Sequence, residues 1–196
     1  MASKLFVFVW LGAMAVTSTA VSQERRPTEE EIGEVQVYLT PAEAVREIFD
    51  DVAAVDTTVA VLTDEEMKDL HALLGAAVPS DTVVVLRPLG ENDERLGYAV
   101  IAEEVGKYRP ITFMVGITPE FKVSHVEVLV YRESRGGEVR RSRFLRQYRG
   151  KSAGSPIRTN KDILNIAGAT MSVNAMNHGV KRVLATLKVL AARKSL

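Results

Sequence analysis

Asn165-Ile166-Ala167-Gly168-Ala169-Thr170-Met171-Ser172 stands directly ahead of a long apolar stripe made by Val173, Met176, Val180, Val183, Leu187 and Leu190. Those six recur at alternating steps of three and four, the period of a helix with one face on a core. Gly168 and Ala169 are small enough to let the backbone approach a ligand, and the hydroxyl of Thr170 follows at once. A hydroxyl at or just before a helix N-terminus sits beside unpaired N–H groups and the positive end of the helix dipole, a setting that suits a phosphate. The simpler reading is a tight turn in which Thr170 or Ser172 is an ordinary N-cap. The triplet alone leaves both readings open.

Upstream of this stretch lies a run of strand candidates. Thr82 to Arg87, Tyr98 to Glu103, Ile111 to Ile117 and Val123 to Tyr131 are rich in Val, Ile, Tyr or Phe and are bounded by Gly, Pro, Asn or Lys. Their short connections, among them the turn Gly90-Glu91-Asn92-Asp93, favour antiparallel hairpins. After Tyr131 the chain reads Arg132-Glu133-Ser134-Arg135-Gly136-Gly137, a strand end followed by a sharp turn. Val139, Phe144 and Gln147 then carry helical spacing. His125 is expected half-buried in its strand and His71 on a helix surface.

Nearer the start, Thr40-Pro41-Ala42-Glu43 and Thr63-Asp64-Glu65-Glu66 are two capping boxes, the first with Pro at the opening helical position. They predict helices running to about Asp50 and to Leu74. With strand candidates at Val35 to Leu39 and Thr57 to Leu62, residues 23–80 read as a small N-terminal α/β lobe. The whole is an α+β chain, an antiparallel sheet with flanking helices preceded by that lobe. The first segment, 1–22, has Lys4, an uncharged run from Leu5 to Val16 and a small-residue exit, the layout of a signal peptide. Its run is shorter than the ~20 apolar residues of a membrane span. Export to a periplasmic or other extracytoplasmic space is expected, with an uncleaved N-terminal anchor as the alternative.

The chain has no cysteine, which excludes a Cys-linked lipid, a disulfide, a c-type haem attachment and a Cys-held iron–sulfur cluster. Acidic and basic residues balance at 25 each, yet they are segregated. Acidic residues dominate from Glu24 to Glu104. From Lys122 to Lys151, nine basic residues stand against Glu127, Glu133 and Glu138. This is either an ordinary solvated face or a surface that meets something anionic. No nucleic-acid partner or metal ligand set is expected. No Gly-x-Gly-x-x-Gly marks a nicotinamide site, and no Gly-x-Ser-x-Gly marks a hydrolase.

Ala167-Gly168-Ala169-Thr170-Met171-Ser172 resembles the Ser/Thr-Gly-Ala-Thr-x-Ser/Thr flavinylation motif of the FMN-binding domain family. That family includes covalent-flavin subunits of the sodium-pumping NADH:quinone reductase and of the Rnf-type complex. The family's Ser or Thr three before the Thr is Ala167 here, and its Asp six before is Leu164, with Asp162 two residues further back. Glu133-Ser134 and Gly136 loosely match the family's Glu-Thr-Pro-Gly-Leu-Gly loop. Phe144 to Lys151 is similar to its Phe-x-x-Gln-Phe-x-Gly-Lys segment. The resemblance spans about residues 82 to 190, so an FMN-binding domain is expected over residues 81–196.

What the resemblance implies is FMN joined by a phosphoester to Thr170. Gly168, Ala169, Met171 and Ser172 would stand around the phosphate, and Glu133, Ser134 and Gly136 on the ring side. Isoalloxazine chemistry belongs to the cofactor, so an exported electron carrier is expected rather than an enzyme acting on a small substrate. Its partners would be a flavin transferase for maturation and a redox protein or a membrane quinone-linked complex. The alternative is a non-redox sensory or binding module of the same fold, with FMN weakly held or missing.

Overall fold

The computed structural model describes residues 28–193. The expected signal segment, 1–22, lies outside the described residues. Both capping boxes form as their spacing dictates. The Thr40 and Thr63 hydroxyls accept from the N–H groups of Glu43 and Glu66, whose carboxylates accept from the threonine N–H groups in return. They open α2 (Pro41–Ile48) and α3 (Asp64–Leu74), after a single helical turn, α1 (Glu29–Ile32).

Six strands make one antiparallel sheet: β1 (Gln36–Val37), β2 (Ala54–Val61), β3 (Thr82–Leu89), β4 (Tyr98–Val105), β5 (Pro110–Ile117) and β6 (Val123–Tyr131). Their spatial order is β1-β6-β5-β4-β3-β2. The fold is therefore α+β. Residues described from the expected N-terminal lobe supply both sheet edges, β1 and β2, and one helix to each face. They share both core clusters with the rest of the chain.

On one face α2 buries Ala44, Val45 and Ile48 against Ala99, Met114 and Leu129. On the other, α5 (Thr170–Ala192) lays Val173, Met176, Val180, Val183, Leu187 and Leu190 on Val100, Phe113, Val115 and Val128. Alternation along β5 sends Phe113 and Val115 to one face and Met114 to the other, as the pleat requires. In β6 the register slips between the Thr112–Val130 and Phe113–Val128 pairs. That bulge leaves Leu129 and Val130 both on the α2 side and returns Tyr131 to the α5 side.

The helical spacing from Val139 to Gln147 does not become one helix. Extended backbone at Arg141 separates a 3-10 turn (Gly137–Arg140) from α4 (Ser142–Leu145), which tightens into a second 3-10 turn (Arg146–Tyr148). Phe144, Leu145 and Tyr148 are still buried. No helix among the described residues is long and apolar enough to cross a membrane.

Candidate functional site

The N-terminus of α5 opens onto a cavity of about 460 Å³. Helix formation starts at Thr170, with Ala169 as N-cap and no side-chain cap. The N-cap reading of Thr170 or Ser172 therefore does not hold. The turn into the helix needs Gly168, whose φ is +79°, although a Cβ there would meet nothing within 4 Å. Its glycine is thus a matter of backbone angle rather than crowding. Thr170 is exposed, and its Oγ1 accepts a hydrogen bond of 2.9 Å from Asn165 Nδ2. The hydroxyl proton is thereby left pointing away from Asn165.

Ser172, in the first turn of the helix, is only 2% exposed. Its hydroxyl lies 3.0 Å from that of Tyr131, so the side chain anchors the helix start to β6 instead of capping it. Backbone N–H groups of the first helical turn still have no intrahelical partner and face this end of the molecule. Met171, 54% exposed, forms a rim beside them.

Across the cavity stand Glu133 and Ser134, as the sequence suggests, joined by Arg135. Glu133 is buried, and its Oε1 accepts from the N–H groups of Tyr108 at 2.6 Å and Arg109 at 3.0 Å. Its carboxylate therefore fixes the β4–β5 turn, and the turn presents Lys107 and Tyr108 to the cavity. Lys107 Nζ lies 4.5 Å from the Tyr108 ring centroid. Glu30 of α1 completes the lining. Gly136 lines a neighbouring cavity, not this one. At φ +90° it passes so close to α5 that a Cβ would lie 2.5 Å from Ser172 Oγ and 2.6 Å from the Tyr131 hydroxyl.

Glu30, Lys107, Tyr108, Arg135 and Asn165 are the site residues that sequence reasoning missed. Lys107-Tyr108 sits in an unremarkable turn, and only the buried Glu133 bond reveals where that turn points. Asp162, which stands near the family's Asp position, is occupied elsewhere. It pairs with Lys151 at 2.8 Å and accepts from the N–H groups of Ile157 and Arg158, closing the loop ahead of the motif. Although burial favours its neutral form, the Lys151 bond and these two N–H groups hold its carboxyl below the usual range. Leu164, at the motif position itself, is 72% exposed.

The lining therefore combines an exposed hydroxyl, a helix N-terminus, two cations, an aromatic ring and two carboxylates, of which Glu133 is already engaged by backbone N–H groups. A flavin mononucleotide has a dianionic phosphate at one end and a planar ring at the other. The residues present fit it. Its phosphate would lie by Thr170 and the helix N-terminus, with Lys107 and Arg135 balancing charge.

Residues 106–185 match the family described as FMN-binding domain. The match starts at the β4–β5 turn and ends within α5, so it includes every cavity-lining residue except Glu30. Among solved structures, NqrC of Shewanella oneidensis is similar at 15% identity and a TM-score of 0.49, over 74% of this chain and 88% of that one. No curated protein matches the chain.

Proposed function

We propose that this chain is an exported electron-transfer flavoprotein whose FMN is esterified through its phosphate to Thr170 Oγ1. The observation that carries the reading is the placement of Thr170. It is an exposed hydroxyl on the first residue of a 23-residue helix, oriented by Asn165 and facing a cavity with two cations. When bound, the isoalloxazine supplies one- or two-electron chemistry.

The chain's own residues bind and orient. Asn165 holds Oγ1 with its proton outward, and the first-turn N–H groups with Lys107 and Arg135 take the phosphate charge. Dipole and N–H contacts of this kind contribute ~1–2 kcal/mol, enough to orient a phosphate and too little to retain it outside the cytoplasm. Covalency supplies the retention. In the attachment a flavin transferase presents the flavin as an activated phosphoryl donor. The Oγ1–P bond forms as the bond from phosphorus to its leaving group breaks, and the Thr170 proton passes to solvent. Such a carrier exchanges electrons with a redox protein or a membrane quinone-linked complex.

Intact-mass measurement tests this on protein made in a host with a flavin transferase. Wild type and Ser172→Ala should carry the FMN increment, and Thr170→Ala should lack it. An increment retained in Thr170→Ala overturns the assignment. The second reading, a binding module without covalent flavin, draws on Leu164 and Ala167 at motif positions and on the engagement of Asp162 with Lys151. Denatured wild-type protein that is colourless under the same conditions favours it.

A further inference from the structure

Beside the Thr170 cavity lies a second one, also about 460 Å³, and the two share Ser134, Arg135 and Gly168 as a common wall. Arg135, Arg140 and Arg141 converge on this second cavity, whose lining includes one carboxylate, Glu138. All three arginines are exposed, and the Arg140 guanidinium stacks 4.6 Å from the Tyr38 ring centroid. Among the described residues none of the three has a carboxylate at ion-pairing distance. Arg87, Lys151, Arg182 and Arg193, by contrast, are each paired. The chain has as many acidic as basic residues, but most of its carboxylates belong to the first hundred residues. Exposed Arg143 and Arg146 follow on the same short segment.

We propose that this arginine-lined concavity is the docking surface for a carboxylate-rich face of a redox protein, held beside the Thr170 cavity. The proposal rests on the FMN reading for its purpose, since docking here would bring a partner to the wall that the two cavities share. Its chemistry is independent of that reading. Unpaired guanidiniums on a concave surface accept carboxylates two at a time and steer an acidic partner from a distance. A flat lipid surface would not fill the concavity. A small anion would leave Arg143 and Arg146 without a role.

The test uses the full chain and a small acidic ferredoxin as probe, with affinity measured by titration calorimetry at low and high salt. Affinity should fall about tenfold or more as salt rises from about 20 to about 300 mM, because the attraction is screened. Arg140→Glu/Arg141→Glu should weaken low-salt binding about tenfold or more. Lys68→Glu, on α3, should leave it unchanged. FMN content, read from absorbance, should be the same in all three proteins. Binding should also persist in flavin-free Thr170→Ala, which separates this proposal from the flavin assignment. Equal affinity for the double variant overturns the proposal. So does saturation of the site by millimolar citrate, or arginine-dependent binding to phosphatidylserine vesicles in place of the ferredoxin.

Discussion

The Tyr131 hydroxyl lies 3.0 Å from Ser172 Oγ and 2.5 Å from the carbonyl oxygen of Arg135. One phenol thus joins the end of β6, the first turn of α5 and the loop that separates the two cavities. Its proton goes to the Arg135 carbonyl, so Ser172 Oγ must donate to the Tyr131 oxygen. Burial pushes this phenol up to about 12, against the opposing Ser172 bond. It is a neutral donor throughout the working range of pH.

Tyr131→Phe should cost ~1–3 kcal/mol, because it strands a buried hydroxyl and a carbonyl together. Ser172→Ala should cost less, since Tyr131 keeps its bond to Arg135. Urea denaturation of both singles and the double variant gives the coupling. Strictly additive losses would mean that the two hydroxyls do not interact.

Gly136→Val should be more damaging than either. The residue occupies a left-handed backbone angle, and any Cβ collides with the Ser172 and Tyr131 hydroxyls. Strain of that kind costs ~1–3 kcal/mol before the collision is relieved. Relief requires the Ser134–Arg135 wall to move away from α5. The expected result is a lower melting temperature and, in FMN-loaded protein, a shifted flavin absorption band. An unchanged spectrum would show that the loop does not shape the flavin environment.

Helix starts marked by Thr40 and Thr63, the strand series and the stripe from Val173 to Leu190 were legible in the sequence because each obeys a local rule. So was the grouping of Glu133 and Ser134 with Gly168 to Ser172, through the family resemblance. What was not legible depends on register. Plain alternation along β6 would put Tyr131 on the α2 face, opposite Val128. The bulge at Leu129–Val130 reverses this, and no residue type there announces it. The role of Ser172 follows from that reversal, which is why the sequence suggested a cap or phosphate contact. The extended backbone at Arg141 breaks the helical spacing of Val139 to Gln147, and its residue type does not announce it either. Asn165 was quoted with the motif, yet only the fold places its amide on Thr170.

Asp162→Ala should release the loop that leads into the motif. Three bonds converge on this carboxylate, and without it the Lys151 ammonium and the Ile157 and Arg158 N–H groups must turn to water. The site is half-buried, so a loss of ~1–2 kcal/mol is expected, with faster amide exchange at Ile157 and Arg158. Exchange rates that match wild type would assign the loop's order to Ile163 packing instead.

The last prediction concerns Glu104, which ties α5 to β4. Its Oε1 accepts from Arg182 Nε at 2.8 Å and lies 2.7 Å from Nη2 of the same guanidinium, and its Oε2 lies 2.9 Å from His178 Nδ1. His178 and Arg182 are four residues apart and so share a helix face. Gly179 between them lets the helix settle on the Phe113 ring, where a Cβ would lie 2.5 Å from it. Burial favours the neutral form of Glu104, but the His178 bond and the Arg182 charge outweigh it and leave the folded carboxyl below its ordinary value of 4.5. A depressed carboxyl contributes stability that is fully present above the unfolded-state value and is lost as pH falls through the folded one. Wild type should therefore lose stability from about pH 5 downward through this group. Glu104→Gln should be weaker at neutral pH by ~1–3 kcal/mol, because it leaves Arg182 with its charge half-buried. Its stability should also fall less steeply in acid, so that the two curves converge. Urea midpoints measured from pH 7 to pH 3 read both features. Parallel curves over that range would show that Glu104 does not titrate with folding.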